Sequence, residues 1–287
     1  MRTYELTVRG IRTIVREEGE SRGGEAVVFV HGNPGSAADW DLLLGRAGRH
    51  TRAIAWDAPG FGQADKPRDF PQTVAGHGDF IGAMLAALDV HQVHLCVHDF
   101  GGPWALDWAA RDPGRLGSLV LIDTGVLLGY RWHALARLWR TPVAGELFMA
   151  TTTRWAFGLL VGRLGNPRGL PAEFVARMYR DFDRATRRSV LRLYRSLPDP
   201  AGWSAAISAT LSAASGADGL PVLVIWGAHD PYLRVEQAEI QRRTFPRAEV
   251  VVLPGSGHWP FADDPEAVDA AAGGFWEKVL TGERSGT

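Results

Sequence analysis

The stretch Val97-His98-Asp99-Phe100-Gly101-Gly102 follows an apolar run and leads into a helical pattern, so it falls on a sharp bend between a strand and a helix. On such a bend the central side chain is held outward, and a glycine two places later lets the helix pack close to the strand. The side chain presented here is the carboxylate of Asp99. A carboxylate attacks an sp3 carbon that bears a leaving group, and water must then hydrolyse the resulting alkyl ester. That chemistry points away from amides and ordinary carboxylic esters.

Working outward, residues 4–8 and 11–15 are rich in strand formers and are separated by Arg9-Gly10, which predicts an opening hairpin. Further strands are expected at 26–30, 52–56, 92–97 and 119–122, with helices over 73–90 and 102–111. This alternation predicts an α/β fold with a mostly parallel sheet, right-handed crossovers and flanking helices. From 126 to 215 the pattern turns mostly helical, interrupted at Gly165-Asn166-Pro167 and Pro198-Asp199-Pro200. Strands resume at 221–226 and 249–253, with a closing helix at 265–280. The organisation expected is a core in two parts, 1–125 and 216–287, with a helical cap inserted at 126–215.

Composition narrows the function. The chain has 287 residues, 46% hydrophobic, enough for one large core with an insertion. A formal charge of −1 supplies no footprint for nucleic acid, and no polybasic tail suggests a membrane surface. The single cysteine, Cys96, excludes an internal disulfide and reads as a small core residue within a strand. The first residues lack the apolar region of a signal peptide, and no uncharged apolar run reaches membrane-spanning length, so a soluble cytoplasmic protein is expected. The expected partner is a small apolar organic substrate. The inserted segment carries thirteen arginines against five acidic residues, which predicts solvated helix faces and attraction to a more acidic core.

Three further segments complete a reactive set. Asp230 lies in Gly227-Ala228-His229-Asp230-Pro231 after a resumed strand, and His258 lies in Gly255-Ser256-Gly257-His258-Trp259-Pro260 after the last one. His258 can activate water against an ester while Asp230 fixes its tautomer. The turn Val30-His31-Gly32-Asn33-Pro34-Gly35 can aim the Asn33 backbone N–H beside that of Phe100 as an oxyanion hole. Asp123 also follows a strand and is an alternative acid. His31, His94, His98 and His229 read as turn or packing residues. No metal-ligand spacing and no lysine-bearing glycine-rich loop is visible, so no metal or cofactor is expected.

These motifs, together with Asp57-Ala58-Pro59-Gly60-Phe61-Gly62, resemble the α/β-hydrolase fold over nearly the whole chain, in the order nucleophile, acid, histidine. The aspartate at the bend makes the chain similar to the epoxide hydrolases and the haloalkane dehalogenases. Resemblance to the epoxide hydrolases implies two cap tyrosines that protonate the leaving oxygen, with Tyr194 the best match and Tyr179 or Tyr130 the second. Haloalkane dehalogenases typically place tryptophan after the nucleophile and often asparagine in the His-Gly-Asn-Pro turn. This chain has Asn33 but Phe100, which weakens that reading, although Trp132, Trp139 or Trp155 could supply an N–H. Val97 stands where epoxide hydrolases often carry a small residue, a departure in the other direction. Trp132, Trp139, Phe148, Trp155 and Phe157 suggest an apolar tunnel. The expected function is epoxide hydrolysis through an aspartyl ester. The alternatives are haloalkane dehalogenation and a non-hydrolytic isomerase, cyclase or ligand-binding role on the same fold.

Overall fold

Arg9 and Gly10, at φ of 52° and 76°, turn the chain between β1 (Arg2–Val8) and β2 (Ile11–Glu18). Val8 then faces Ile11, the hairpin expected from the sequence. In β2 every other residue is buried, as on a strand with only one face against the core. β3 (Glu25–Val30), β4 (Arg52–Trp56), β5 (Gln92–His98), β6 (Leu116–Ile122) and β7 (Val222–Gly227) are instead buried almost throughout, and β8 (Glu249–Leu253) closes the edge. Continuous Val, Ile and Leu runs suit strands covered on both faces. The computed structural model describes residues 1–21, 23–214 and 219–282.

The eight strands are ordered β1-β2-β4-β3-β5-β6-β7-β8, with β2 antiparallel to both of its neighbours, β1 and β4, and every other neighbouring pair parallel. This is the α/β-hydrolase sheet expected from the sequence. The first helices are α1 (Asp41–Ala47), α2 (Val74–Ala87) and α3 (Gly101–Arg111). Between β6 and β7 the regular elements are all helical among the described residues: α4 (Ala134–Arg140), α5 (Ala144–Thr151), α6 (Arg154–Leu159), α7 (Ala172–Asp181), α8 (Arg184–Ser196) and α9 (Pro200–Ala214). The boundary expected at 215/216 lies outside the described residues. α10 (Glu236–Ile240), α11 (Pro260–Asp263) and α12 (Pro265–Leu280) complete the chain. α1 packs with α12 and α2 with α3 against the sheet. No helix among the described residues is long and apolar enough to cross a membrane.

The charge contrast between the helical segment and the sheet domain is expressed in specific contacts. Arg177 on α7 pairs with Asp39 at 2.6 Å, Arg168 pairs with Asp264, and Arg192 donates to the carbonyls of Arg68 and Phe70 at 2.8 and 2.7 Å. The Asp39 side chain is only 2% exposed, and burial pushes its pKa up against the pull of Arg177. Replacing Arg177 with alanine strands a buried acid, which should cost ~1–3 kcal/mol, less than a fully buried pair because Arg177 keeps partial solvent contact. Urea unfolding of Arg177→Ala measures this, and an unchanged midpoint would remove the pair from the account of stability.

Candidate active site

β3 and β5 pair in parallel with Val30 opposite Val97, so the loops leaving their C-terminal ends start side by side. Strand order reverses about this pair, β4 lying beyond β3 and β6 beyond β5. In an open parallel sheet such a reversal parts the connections and leaves a crevice. Asp99 stands at that crevice with φ of 48°. The left-handed conformation costs a non-glycine residue of order 1 kcal/mol and lifts the side chain clear of the sheet. Gly101 and Gly102 allow α3 to come close, since a Cβ on either would overlap the Val30 carbonyl or the Thr124 hydroxyl. That hydroxyl donates to the Asp99 carbonyl at 2.6 Å and ties down the bend.

The turn after β3 is held by the loop after β4. His31 Nε2 accepts from the Ala58 N–H at 2.9 Å, while Asp57 accepts from the Ala37 and Gln63 N–H groups, each at 2.7 Å. The turn so braced directs the Asn33 N–H to Asp99 Oδ1 at 2.7 Å. Phe100 caps α3, so its N–H is among the first-turn donors that have no intrahelical acceptor. Of the two donors expected from the sequence, the Asn33 N–H is thus bonded to the carboxylate, and the Phe100 N–H belongs to the residue directly after it.

His258 lies with Nε2 3.5 Å from Asp99 Oδ2 and Nδ1 2.6 Å from Asp230 Oδ2. Asp230 Oδ1 accepts from the Tyr232 and Leu233 N–H groups at 2.7 and 2.9 Å, which fixes the carboxylate. His98 Nε2 donates to the His258 carbonyl at 2.7 Å, and burial lowers the His98 pKa to about 3, so this ring stays neutral. Burial works against charge at both Asp99 and His258, but their mutual attraction prevails. Asp99 is held below the usual carboxylate range by His258 and the Asn33 N–H, and His258 is raised well above the usual range by Asp230 and Asp99.

Asp123, the alternative acid, is fully buried at φ of 42°. Its Oδ1 accepts from the Gly227 N–H at 3.0 Å, and its Oδ2 has no donor among the described residues. Ligand atoms of Asp123, Asp230 and His258 lie within 4.8 Å of one another, close enough for a metal ion, although the His258–Asp230 hydrogen bond already accounts for that pair. Burial and the neighbouring charge of Asp230 push Asp123 well up, so it keeps its proton. The proton makes Asp123 a donor toward Asp230 and explains an oxygen that an ionised pair would leave unpartnered. Asp230 is thus the acid bonded to His258.

Of the three tyrosines, Tyr194 and Tyr130 line a cavity with Asp99, and Tyr179 does not. Tyr194 on α8 is buried, edge-on to Phe100 at 4.9 Å. Burial first, then the charge of Asp99, raise the pKa of both Tyr194 and Tyr130, so both remain phenols. Tyr179, on α7, packs against the Phe157 ring at 5.5 Å and lines neither cavity beside Asp99. Trp155 also departs from expectation: it is 77% exposed and lines neither cavity beside Asp99. Trp132, Trp139, Phe148 and Phe157 do face the cavities beside Asp99.

Two residues of this site had not been read from the sequence. Tyr232 packs against the His258 ring at 4.9 Å, and His133 packs against Tyr232 at 5.1 Å. For Tyr232 the available signal was its position two residues after Asp230. His133 carries no such signal, because it reaches the site only through the path of the loop before α4.

Known proteins share this architecture. A family model for the alpha/beta hydrolase fold matches residues 25–265. A cis-3-alkyl-4-alkyloxetan-2-one decarboxylase of Xanthomonas campestris pv. campestris is 30% identical, over 95% of this chain and 95% of that protein. A haloalkane dehalogenase of Mesorhizobium japonicum is 29% identical, over 90% of this chain and 86% of that one. The solved structure of haloalkane dehalogenase DbeA from Bradyrhizobium elkani USDA94 superposes with a TM-score of 0.83 at 25% identity, covering 98% of this chain and 99% of that one. With the sheet, the bend and the buried histidine–acid pair in place and a family model matching most of its length, the chain belongs to the alpha/beta hydrolase fold family.

Proposed function

We propose that the protein is a hydrolase that opens small epoxides through an alkyl ester on Asp99, with residues 126–215 serving as a lid. The observation that carries this reading is the pair of phenols, buried Tyr194 and half-buried Tyr130, lining one cavity with Asp99. An epoxide oxygen leaves as an alkoxide and needs a proton, which a neutral phenol supplies. In the first step the Asp99 Oδ2 lone pair attacks a ring carbon, the carbon–oxygen bond breaks, and a tyrosine proton passes to the oxygen. Asp99 Oδ1, already bonded to the Asn33 N–H, becomes the ester carbonyl oxygen. In the second step His258 takes a proton from water and the hydroxide adds to that carbonyl. The Asn33 and Phe100 N–H groups hold the oxyanion. Collapse expels the diol as an alkoxide that recovers the proton from His258, and the carboxylic acid left on Asp99 returns its proton to the tyrosinate formed in the first step.

A second reading, dehalogenation, draws support from the dehalogenase relatives and from two N–H groups. Asn33 occupies the turn beside Asp99, and the Trp132 indole N–H is buried in the cavity with no acceptor among the described residues. A departing halide needs such donors and no proton. The decarboxylase relative adds a strained lactone to the candidates, since ring opening at its sp3 carbon releases a carboxylate that also needs no proton.

Tyr194→Phe separates these readings, because phenylalanine keeps the ring packing and removes the proton. Epoxide turnover should fall ~10²-fold while haloalkane turnover stays within about threefold. Equal losses for both substrates would count against the proton-donor role. The protonated state of Asp123 has its own test. Asparagine at this position still donates to Asp230 and accepts from the Gly227 N–H, so Asp123→Asn should keep kcat within about threefold, whereas Asp123→Ala should lose at least ~tenfold. An inactive Asp123→Asn enzyme would mean that a charge is needed there.

A further inference from the structure

Asp99 lies where two apolar cavities meet, each of about 50 Å³. The first is walled by Leu127, Trp132, Leu197 and Trp203, the second by Trp139, Phe148, Phe157 and Phe182. Four side chains belong to both: Asp99, His133, Tyr194 and Tyr232. They form a polar waist between two greasy arms of the site. His133 adds a donor there. Its Nδ1 accepts from the Ala136 N–H at 3.2 Å, which places the ring proton on Nε2, and burial lowers its pKa to about 4, so the imidazole stays neutral.

One water needs ~10–15 Å³ on this volume measure, so each cavity holds about four waters or an alkyl arm of roughly four carbons. A substrate substituted on one side would fill one cavity and leave the other as water against apolar walls. Resting on Asp99 as the nucleophile, we infer that the natural substrate is an electrophile with an apolar arm on each side of its reacting centre, such as a dialkyl epoxide. The polar ring lies at the waist, within reach of the carboxylate and its donors. The arms diverge into the two cavities, and each buried methylene favours the two-armed substrate by ~fourfold.

The test compares cis-dibutyl-oxirane with butyl-oxirane. Wild-type kcat/KM should favour the dibutyl compound by at least ~tenfold. Leu197→Trp fills the first cavity and Leu135→Trp the second, both at half-buried positions that tolerate added bulk. Each should cut kcat/KM for the dibutyl compound by at least ~30-fold and leave the butyl compound within ~threefold, since one arm can still use the open cavity. Thermal midpoints check the fold, and phenylalanine replaces tryptophan at both positions if either variant melts early. A wild-type preference for butyl-oxirane, or equal losses on both compounds, overturns the inference. If neither oxirane leaves an ester on the His258→Gln enzyme, the epoxide-opening reading fails and takes this inference with it. An ester without the two-armed preference sinks only the latter.

Discussion

Asp99→Asn should lower turnover by at least ~10⁴-fold while leaving the fold intact. The asparagine keeps an oxygen for the Asn33 N–H, which Asp99 Oδ1 accepts at 2.7 Å, and asparagine is among the residues that tolerate a φ of 48°. What disappears is the negatively charged lone pair that attacks carbon. The variant also removes one of the two charges that raise His258, so the imidazole becomes easier to deprotonate without gaining anything to hydrolyse. Initial rates on freshly purified enzyme, with circular dichroism and a melting curve alongside, check the result. Wild-type initial activity in a correctly folded Asp99→Asn protein would end the nucleophile assignment.

The second large effect is expected at the base. His258→Gln should react once and stop, with hydrolysis of the ester slowed by ~10²–10⁴-fold. Intact mass then identifies the leaving group: a gain of the whole epoxide or lactone for ring opening, or of the alkyl group without halogen for dehalogenation. The same logic predicts a pH effect in the wild type. In the free enzyme Asp230 and Asp99 hold the proton on His258. Alkylation neutralises Asp99, the His258 pKa drops, and the ring sheds its proton and can act as base. Below that lowered pKa, hydrolysis should fall tenfold per pH unit. Alkylation should persist further into acid, because the pKa of Asp99 is below the usual carboxylate range. Ester should therefore accumulate in wild-type enzyme quenched at mildly acidic pH. A hydrolysis rate independent of pH and of the His258 substitution would contradict a histidine base.

The bend at Asp99, the parallel sheet and the chain order of Asp99, Asp230 and His258 were legible in the residues themselves. Each rests on local chemistry: apolar strand runs, glycines required for close approach, and polar residues placed just beyond strand ends. The hairpin at Arg9-Gly10 and the donor at Asn33 were readable on the same ground. The choice between Asp230 and Asp123 was not. Both follow adjacent parallel strands, and only the packed structure shows one bonded to His258 and the other buried with its proton beside it. The pattern marked 126–215 as mostly helical, but it could not tell that Tyr194 would meet Phe100 while Tyr179 met Phe157. Nor could it turn Trp155 outward or bring His133 between two cavities. A sequence pattern states which face of a helix is buried. What that face meets depends on segments elsewhere in the chain, and their relative placement is decided only when the core packs.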